Sequence, residues 1–432
     1  MNIYIYVTLL LIAALLSTRL MKVLKLPNVT GYIITGIIMG PFVFGAIFNP
    51  DTVYTTPKDG QSIGVVYDYV NQIKWLSEVA LGFIAFSIGT SFKKAVLKTV
   101  GKRVVIITIL EALGGSICVF LALLTTHFIV PEHMNWELVL TLSAIASATA
   151  PAATLMVIKQ YRAKGKLVDT LLPVVALDDA VALILFAVLF QIASGLASGG
   201  ELSVYKMLAK PLIEITISVG VGVVLGLLIS FINRFFKSRN NKLVLCIFTV
   251  FASLGLYLLF KEQWMGGFEL SSLLTCMCAG AIYTNMSKDS DRTLDVLDRF
   301  TSPIYMMFFV ISGASLDLRV FMDKSGLIVL TIALVYIIFR VSGKYIGAYT
   351  GAAITKCDPE VRKYLGLTLV PQAGVAIGLA TSANKLFYEV GLFEASTMVV
   401  AIILTSTLIY ELIGPLVSKF ALKKAGCIPV EE

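Results

Sequence analysis

From residue 3 to residue 418 the chain repeats one pattern: a long apolar run, a short polar break, then another apolar run. A run of about 20 apolar residues is long enough, at 1.5 Å per residue, to cross the hydrocarbon core of a bilayer as a helix. Backbone polar groups in lipid must be satisfied internally, so repetition of this kind predicts a helical bundle and excludes a soluble fold. Composition agrees, since 57% of the 432 residues are hydrophobic and only 14% are charged. The expected fold is an all-α polytopic membrane protein, with one transmembrane domain over residues 1–432 and no soluble regulatory domain.

Thirteen spans are predicted, at 3–20, 28–46, 75–92, 104–128, 137–158, 168–194, 208–233, 243–260, 266–285, 301–316, 326–354, 362–383 and 395–418. The stretch 287–300, SKDSDRTLDVLDRF, is too charged to cross and reads as an amphipathic surface segment. The N-terminal run lacks a basic start and a small-residue cleavage site, so it reads as a retained first helix rather than a signal peptide. The six cysteines (118, 246, 276, 278, 357 and 427) lack secretory or metal-clamp spacing and read as packing residues. His127 and His133 belong to no ligand constellation and read as structural or surface residues.

The segmentation can be tested with the basic residues alone. Odd-numbered loops and the C-terminal tail hold 25 of the 35 Lys and Arg, and even-numbered loops hold eight. This bias places the N-terminus outside and the C-terminus in the cytoplasm. The remaining two, Arg340 and Lys344, lie inside the eleventh span, ALVYIIFRVSGKYIGAYTGA. At i and i+4 they share one helix face; the alternative is that they snorkel to an interface.

Ionisable groups at bilayer depth persist where they face a cavity, a partner or an ion pathway. PVVALDDAVA in the sixth span puts Asp178 and Asp179 there. In the fifth span, Pro151 interrupts a run of small and hydroxyl residues. It removes a helix hydrogen bond and frees carbonyls near Ser147, making Ser147, Thr149 and the adjacent carbonyls candidate oxygen ligands; an ordinary proline kink is the alternative. The twelfth span repeats the theme with Pro371, Gln372 and Gly374. Broken helices seven spans apart have opposite orientations, so residues 1–194 and 243–418 can form two inverted six-helix repeats with crossed broken helices, linked by the helix at 208–233. That arrangement points to a transport site at the crossing.

Adjacent helical residues point about 100° apart, so one aspartate is expected to line the ion cavity while the other turns to the buried base. A hard cation takes oxygen ligands. A carboxylate out of water can hold a proton or the cation, not both, which is what proton-for-cation exchange requires. Lys344 can also release a proton, whereas Arg340 serves only as a counter-charge. Glu111 is a further candidate, as a partner of Arg340 or Lys344. Glu78, Glu214, Glu269 and Glu411 read as structural or interface acids.

The chain resembles the monovalent cation:proton antiporter superfamily, the sodium/proton exchangers of bacteria and their relatives. The likeness rests on LPNVTGYIITGIIMGP, SATAPAAT, LDDAVALILF, FFVISGASLDL, FRVSGKYIGAYTGA and LVPQAGVAIGLA, in that order along nearly the whole chain. The resemblance implies thirteen helices, a dimerising panel, and a mobile core at 104–194 and 326–418 that carries the ion as an elevator. It implies that Asp179 binds cation and proton and that Asp178 partners the base, the Asp-Asp pair favouring electrogenic exchange. The chain departs from the family in having two buried bases, which leaves open whether Arg340 or Lys344 partners Asp178. It also shows no nucleotide-binding domain of the kind found in the glutathione-gated potassium efflux members.

The resulting expectation is an antiporter exchanging Na+, or Li+ or K+, for H+ in a plasma membrane of bacterial inner-membrane type. It is expected to be a homodimer in lipid, not an enzyme, with no resident cofactor, nucleic-acid partner or soluble partner. The alternatives are a sodium-coupled solute symporter of related inverted-repeat fold and a K+/H+ efflux antiporter. An ion channel lacks its filter sequence here, and an intramembrane protease lacks its paired groups on separate helices.

Overall fold

The computed structural model describes residues 2–45, 47, 65–90, 92–132, 134–198, 209–260, 270–287, 290–315 and 326–429. His133 and Glu269 fall outside these residues. The described residues form α-helices and short helical turns: α1 (Ile3–Val23), α2 (Asn28–Met39), α3 (Val65–Ile73), α4 (Trp75–Thr90), α5 (Lys94–Ile129), α6 (Trp136–Ile145), α7 (Pro151–Gln160) and α8 (Lys166–Ser198). They continue as α9 (Lys210–Ile232), α10 (Arg239–Leu259), α11 (Ser272–Met286), α12 (Ser290–Ala314), α13 (Gly326–Ile354), α14 (Pro359–Thr368), α15 (Gly374–Glu389) and α16 (Phe393–Lys424).

Among the described residues, each predicted span overlaps helix. Among the described residues, nine helical stretches are individually long and apolar enough to cross a membrane. The other four predicted spans fall short for local reasons. The fifth and twelfth are each split into two half-helices, α6/α7 and α14/α15. The ninth is represented by the 15 residues of α11, and the tenth carries charge at the start of α12.

Two boundaries differ from expectation. The segment 287–300 is not a separate surface element, because α12 runs unbroken from Ser290 through Pro303 to Ala314. Thr293 and Leu297 are buried, so its apolar face continues in helical register into the following span, and the lost Pro303 hydrogen bond does not stop it. The other difference is α3, an unexpected helix that packs its Tyr69 ring 5.7 Å from Tyr6 of α1.

The buried apolar side chains separate into groups. One joins α1–α4 with α9–α12, with some residues of α7 and α8 at its edge. Two others join α5–α8 with α13–α16. Within the second set the central contact is α5 against α13. Its basis is the series Gly343, Gly347 and Gly351, spaced four apart on α13. A Cβ on Gly347 would collide with the Leu110 carbonyl, and a Cβ on Gly343 with that of Gly114. Small residues let the two backbones touch, which is how helices associate closely in lipid. That contact fixes what the intervening Lys344 can reach.

Candidate functional site at the helix crossing

The half-helices meet where both chains are unwound. α6 ends at Ile145, and α7 starts at Pro151, whose missing N–H is harmless at a first helical position. α14 ends at Thr368 and α15 begins at Gly374. The unwound strands cross, and Ala150 N–H donates to the Pro371 carbonyl at 2.9 Å. Gln372 fastens the crossing from the other side: its amide donates to the Ile145 carbonyl at 2.8 Å and its oxygen accepts from the Tyr336 hydroxyl at 3.1 Å.

Arg340 and Lys344 both point into this crossing, but their partners differ in kind. Arg340 is fully buried, and its guanidinium donates to three backbone carbonyls, Ala146 (3.1 Å), Ala148 (2.6 Å) and Val370 (2.8 Å). Its Cζ also sits 4.7 Å from the centre of the Tyr410 ring, a cation–π contact. The fork therefore satisfies carbonyls freed by both helix breaks. Two of the carbonyls beside Ser147 that the sequence offered as cation ligands are thus taken by Arg340. Among the described residues Arg340 forms no ion pair with Asp178 or Glu111, because its donors face unwound backbone.

Lys344, one turn along, meets side chains instead. Its ammonium donates to Glu111 Oε2 at 2.5 Å and to Thr149 Oγ1 at 2.7 Å, and lies 3.6 Å from Asp178 Oδ1. Its stem passes over Gly115, where a Cβ would stand 2.9 Å from Lys344 Cγ. Lys344, Glu111, Asp178 and Thr149 are all buried. Asp179 is only partly buried and projects from the next position of α8. Ser147 is buried and donates to the Ala144 carbonyl at 2.7 Å, leaving its oxygen able to accept.

The cluster is short of donors. Both oxygens of Asp178, Oδ1 of Asp179 and Oε1 of Glu111 are buried without a hydrogen-bond partner. Buried carboxylate oxygens without donors are rare and call for an explanation. Chemically, donor-poor carboxylate oxygens beside an ammonium form a place to hold a proton or a hard cation. Of the sequence-derived candidates, the structure brings Asp178, Thr149, Lys344 and Glu111 into contact, with Asp179 beside them. It gives Pro151, Pro371, Gln372 and Arg340 to the scaffold of the crossing.

The sequence reading missed Tyr336, Tyr410 and the glycines at 115, 343 and 347. The four-residue glycine spacing on α13 was a usable signal, whereas the two tyrosines carried none. Among the other acids, Glu411 of α16 is buried and accepts from Ser312 of α12 at 2.9 and 3.0 Å.

A helical membrane protein whose crossed half-helices enclose buried acids and a buried lysine has the architecture of an ion transporter. The chain belongs to the transmembrane sodium/hydrogen exchanger family, whose family model matches residues 7–424. It is therefore an integral membrane protein of a transporter family.

Its fold is that of the sodium proton antiporter MjNhaP1 from Methanocaldococcus jannaschii. One structure of that protein, at pH 8, aligns with a TM-score of 0.67 and 18% identity over 98% of both chains. An electron-microscopy structure of it aligns at 0.70 and 17% over the whole of both. Among curated relatives, sodium/hydrogen exchanger 7 of Arabidopsis thaliana is 23% identical over 315 residues, 72% of this chain and 26% of that protein. The iron transporter MagA of Paramagnetospirillum magneticum is 28% identical over 162 residues, 38% of this chain and 31% of its own. The alignments thus span about a quarter and a third of those relatives' lengths.

Proposed function

We propose that the protein is a secondary active antiporter that exchanges a monovalent cation, Na+ first and Li+ or K+ as alternatives, for H+. The observation that carries this reading is the donor-poor pair of Asp178 and Glu111 on Lys344 at the helix crossing, with Asp179 at the next position of the same helix as Asp178. Asp179, the more accessible of the pair, takes the cation with Thr149 and Ser147 as neutral oxygen ligands. Asp178 and Glu111 hold Lys344, and cation entry competes with protons for the same carboxylate oxygens. Asp178 and Lys344 can change protonation along with Asp179, so more than one proton can move per cation and the exchange is electrogenic. The cation and proton are cargo, and no resident cofactor is involved.

The elevator reading treats α5–α8 and α13–α16 as the moving core and α1–α4 with α10–α12 as the panel through which two copies dimerise. The separation of the apolar clusters supports it. The two halves, residues 1–194 and 243–418, are inverted repeats joined by α9. The basic-residue bias orients them in a bacterial inner membrane with the N-terminus outside and the C-terminus cytoplasmic.

The test is dequenching of a pH-sensitive dye in proteoliposomes on adding sodium, lithium, potassium and then calcium. The monovalent cations should evoke dequenching, and Asp179→Asn should reduce it to the level of empty vesicles. Full activity in that variant overturns the site. Potassium-only exchange assigns K+/H+ antiport, and a response that requires an organic solute assigns the symporter.

A further inference from the structure

Away from the crossing, a cavity of about 500 Å³ opens at the turn between α9 and α10 and against the end of α11. α9 finishes in a 3₁₀ turn, Asn233–Phe235, and α10 starts at Arg239 with no acid in its first turn. The lining includes Arg234, Lys237 and Lys242, and none of the described residues that line it is acidic. Lys242 is 7% exposed, so one cation is set into the wall while Arg234 and Lys237 stand at the solvent side.

Two further lining groups point to a ligand. Asn233 and Ser287 are 7% and 8% exposed, and Asn233 Oδ1 and Ser287 Oγ are buried without a hydrogen-bond partner. A serine hydroxyl supplies a donor to an anion, and a carboxamide supplies an acceptor for a hydroxyl or ammonium. Phe236 and Met286, each partly open to the surface, form an apolar rim. Cations, a buried donor, a buried acceptor and an apolar rim together match a phosphodiester that carries a polar headgroup on one side and acyl chains on the other.

We propose that this cavity binds the phosphate of an anionic glycerophospholipid, with Arg234, Lys237, Lys242 and Ser287 on the phosphate oxygens and Asn233 on the headgroup. The loop belongs to the basic-rich side of the chain, where anionic lipids concentrate in a cytoplasmic leaflet. The inference stands apart from the exchange reading, since none of these residues is at the crossing. Free phosphate shares the same chemistry and is separated from lipid by the test.

The test is native mass spectrometry and thermal unfolding of the full chain in neutral detergent with phosphatidylglycerol, phosphatidylcholine or inorganic phosphate. Phosphatidylglycerol should bind and raise the unfolding midpoint more than phosphatidylcholine does. Arg234→Gln with Lys237→Gln should weaken that binding about tenfold to thirtyfold. Lys423→Gln with Lys424→Gln, an equal charge loss on the same side, should not. Ser287→Ala, which changes no charge, should weaken it by a smaller factor, about threefold to tenfold. An equal effect of inorganic phosphate assigns the site to a free anion. Binding of phosphatidylglycerol that is unchanged in both the Arg234/Lys237 and Ser287 variants, or no binding of either probe, overturns the proposal.

Discussion

Arg340 and Lys344 sit one turn apart on the same helix, equally buried, yet their surroundings are opposites. Around Arg340 each hydrogen bond ends on a backbone carbonyl. Around Lys344 the partners are side chains, two of them carboxylates, and three of the carboxylate oxygens have no donor. A backbone carbonyl takes up no proton, so its donor must stay, whereas a carboxylate can accept a proton or a metal in place of its base. Arg340 therefore reads as the staple of the crossing and Lys344 as part of its working chemistry, a distinction that charge alone does not make.

The two bases should differ most in a pair of variants. Arg340→Leu should orphan three carbonyls at about 1–3 kcal/mol each and collapse the thermal unfolding midpoint in detergent. Lys344→Gln should keep most of that stability, because Glu111 and Asp178 can be protonated, while cation-driven proton movement in vesicles falls or changes its pH dependence. If the two variants exchange phenotypes, the assignment is reversed.

A smaller effect is expected from Gly347→Leu, which drives a side chain into the Leu110 backbone and parts α5 from α13. The expected cost is about 1–3 kcal/mol. Because the Lys344–Glu111 contact depends on that approach, exchange should fall with it. Ile346→Leu, at an exposed position of the same helix, should do neither.

The smallest effect lies at the surface. Lys166 donates to Asp358, the residue before α14, at 2.9 Å. That bond, helped by the charge of Lys166 and more weakly that of Arg103, holds the Asp358 carboxyl below its ordinary range. A carboxyl lowered by folding contributes stability above its unfolded pKa and loses that contribution as pH falls through the folded value. Acid unfolding curves of Asp358→Asn should therefore converge with those of the parent below the carboxylate range and separate slightly above it. The pair is exposed, so the separation should shrink further in high salt.

Much of this was legible in the sequence, for physical reasons. Hydropathy located the helices, nine stretches of which among the described residues are long and apolar enough to cross a membrane, because lipid imposes one rule on all of them. Pro151 and Pro371 located the breaks, and isolated charges at depth located Asp178, Asp179, Arg340, Lys344 and Glu111. The division of labour between the two bases was not legible. It depends on which groups the crossing presents at each height, and Ala146, Ala148 and Val370 contribute through carbonyls that every residue has. The continuity of α12 was hidden by charge on its outward face, although Thr293 and Leu297 carried the helical period inward.

In the proposed exchange one carboxylate, on Asp179, holds cation or proton in turn. The most direct test is proton release from purified protein in weakly buffered detergent as sodium, lithium or potassium is added. The parent protein should release protons saturably with a transported cation, and Asp179→Asn should release none. Equal release from the variant, or cation binding by the parent with no release at any pH, would rule out exchange on Asp179.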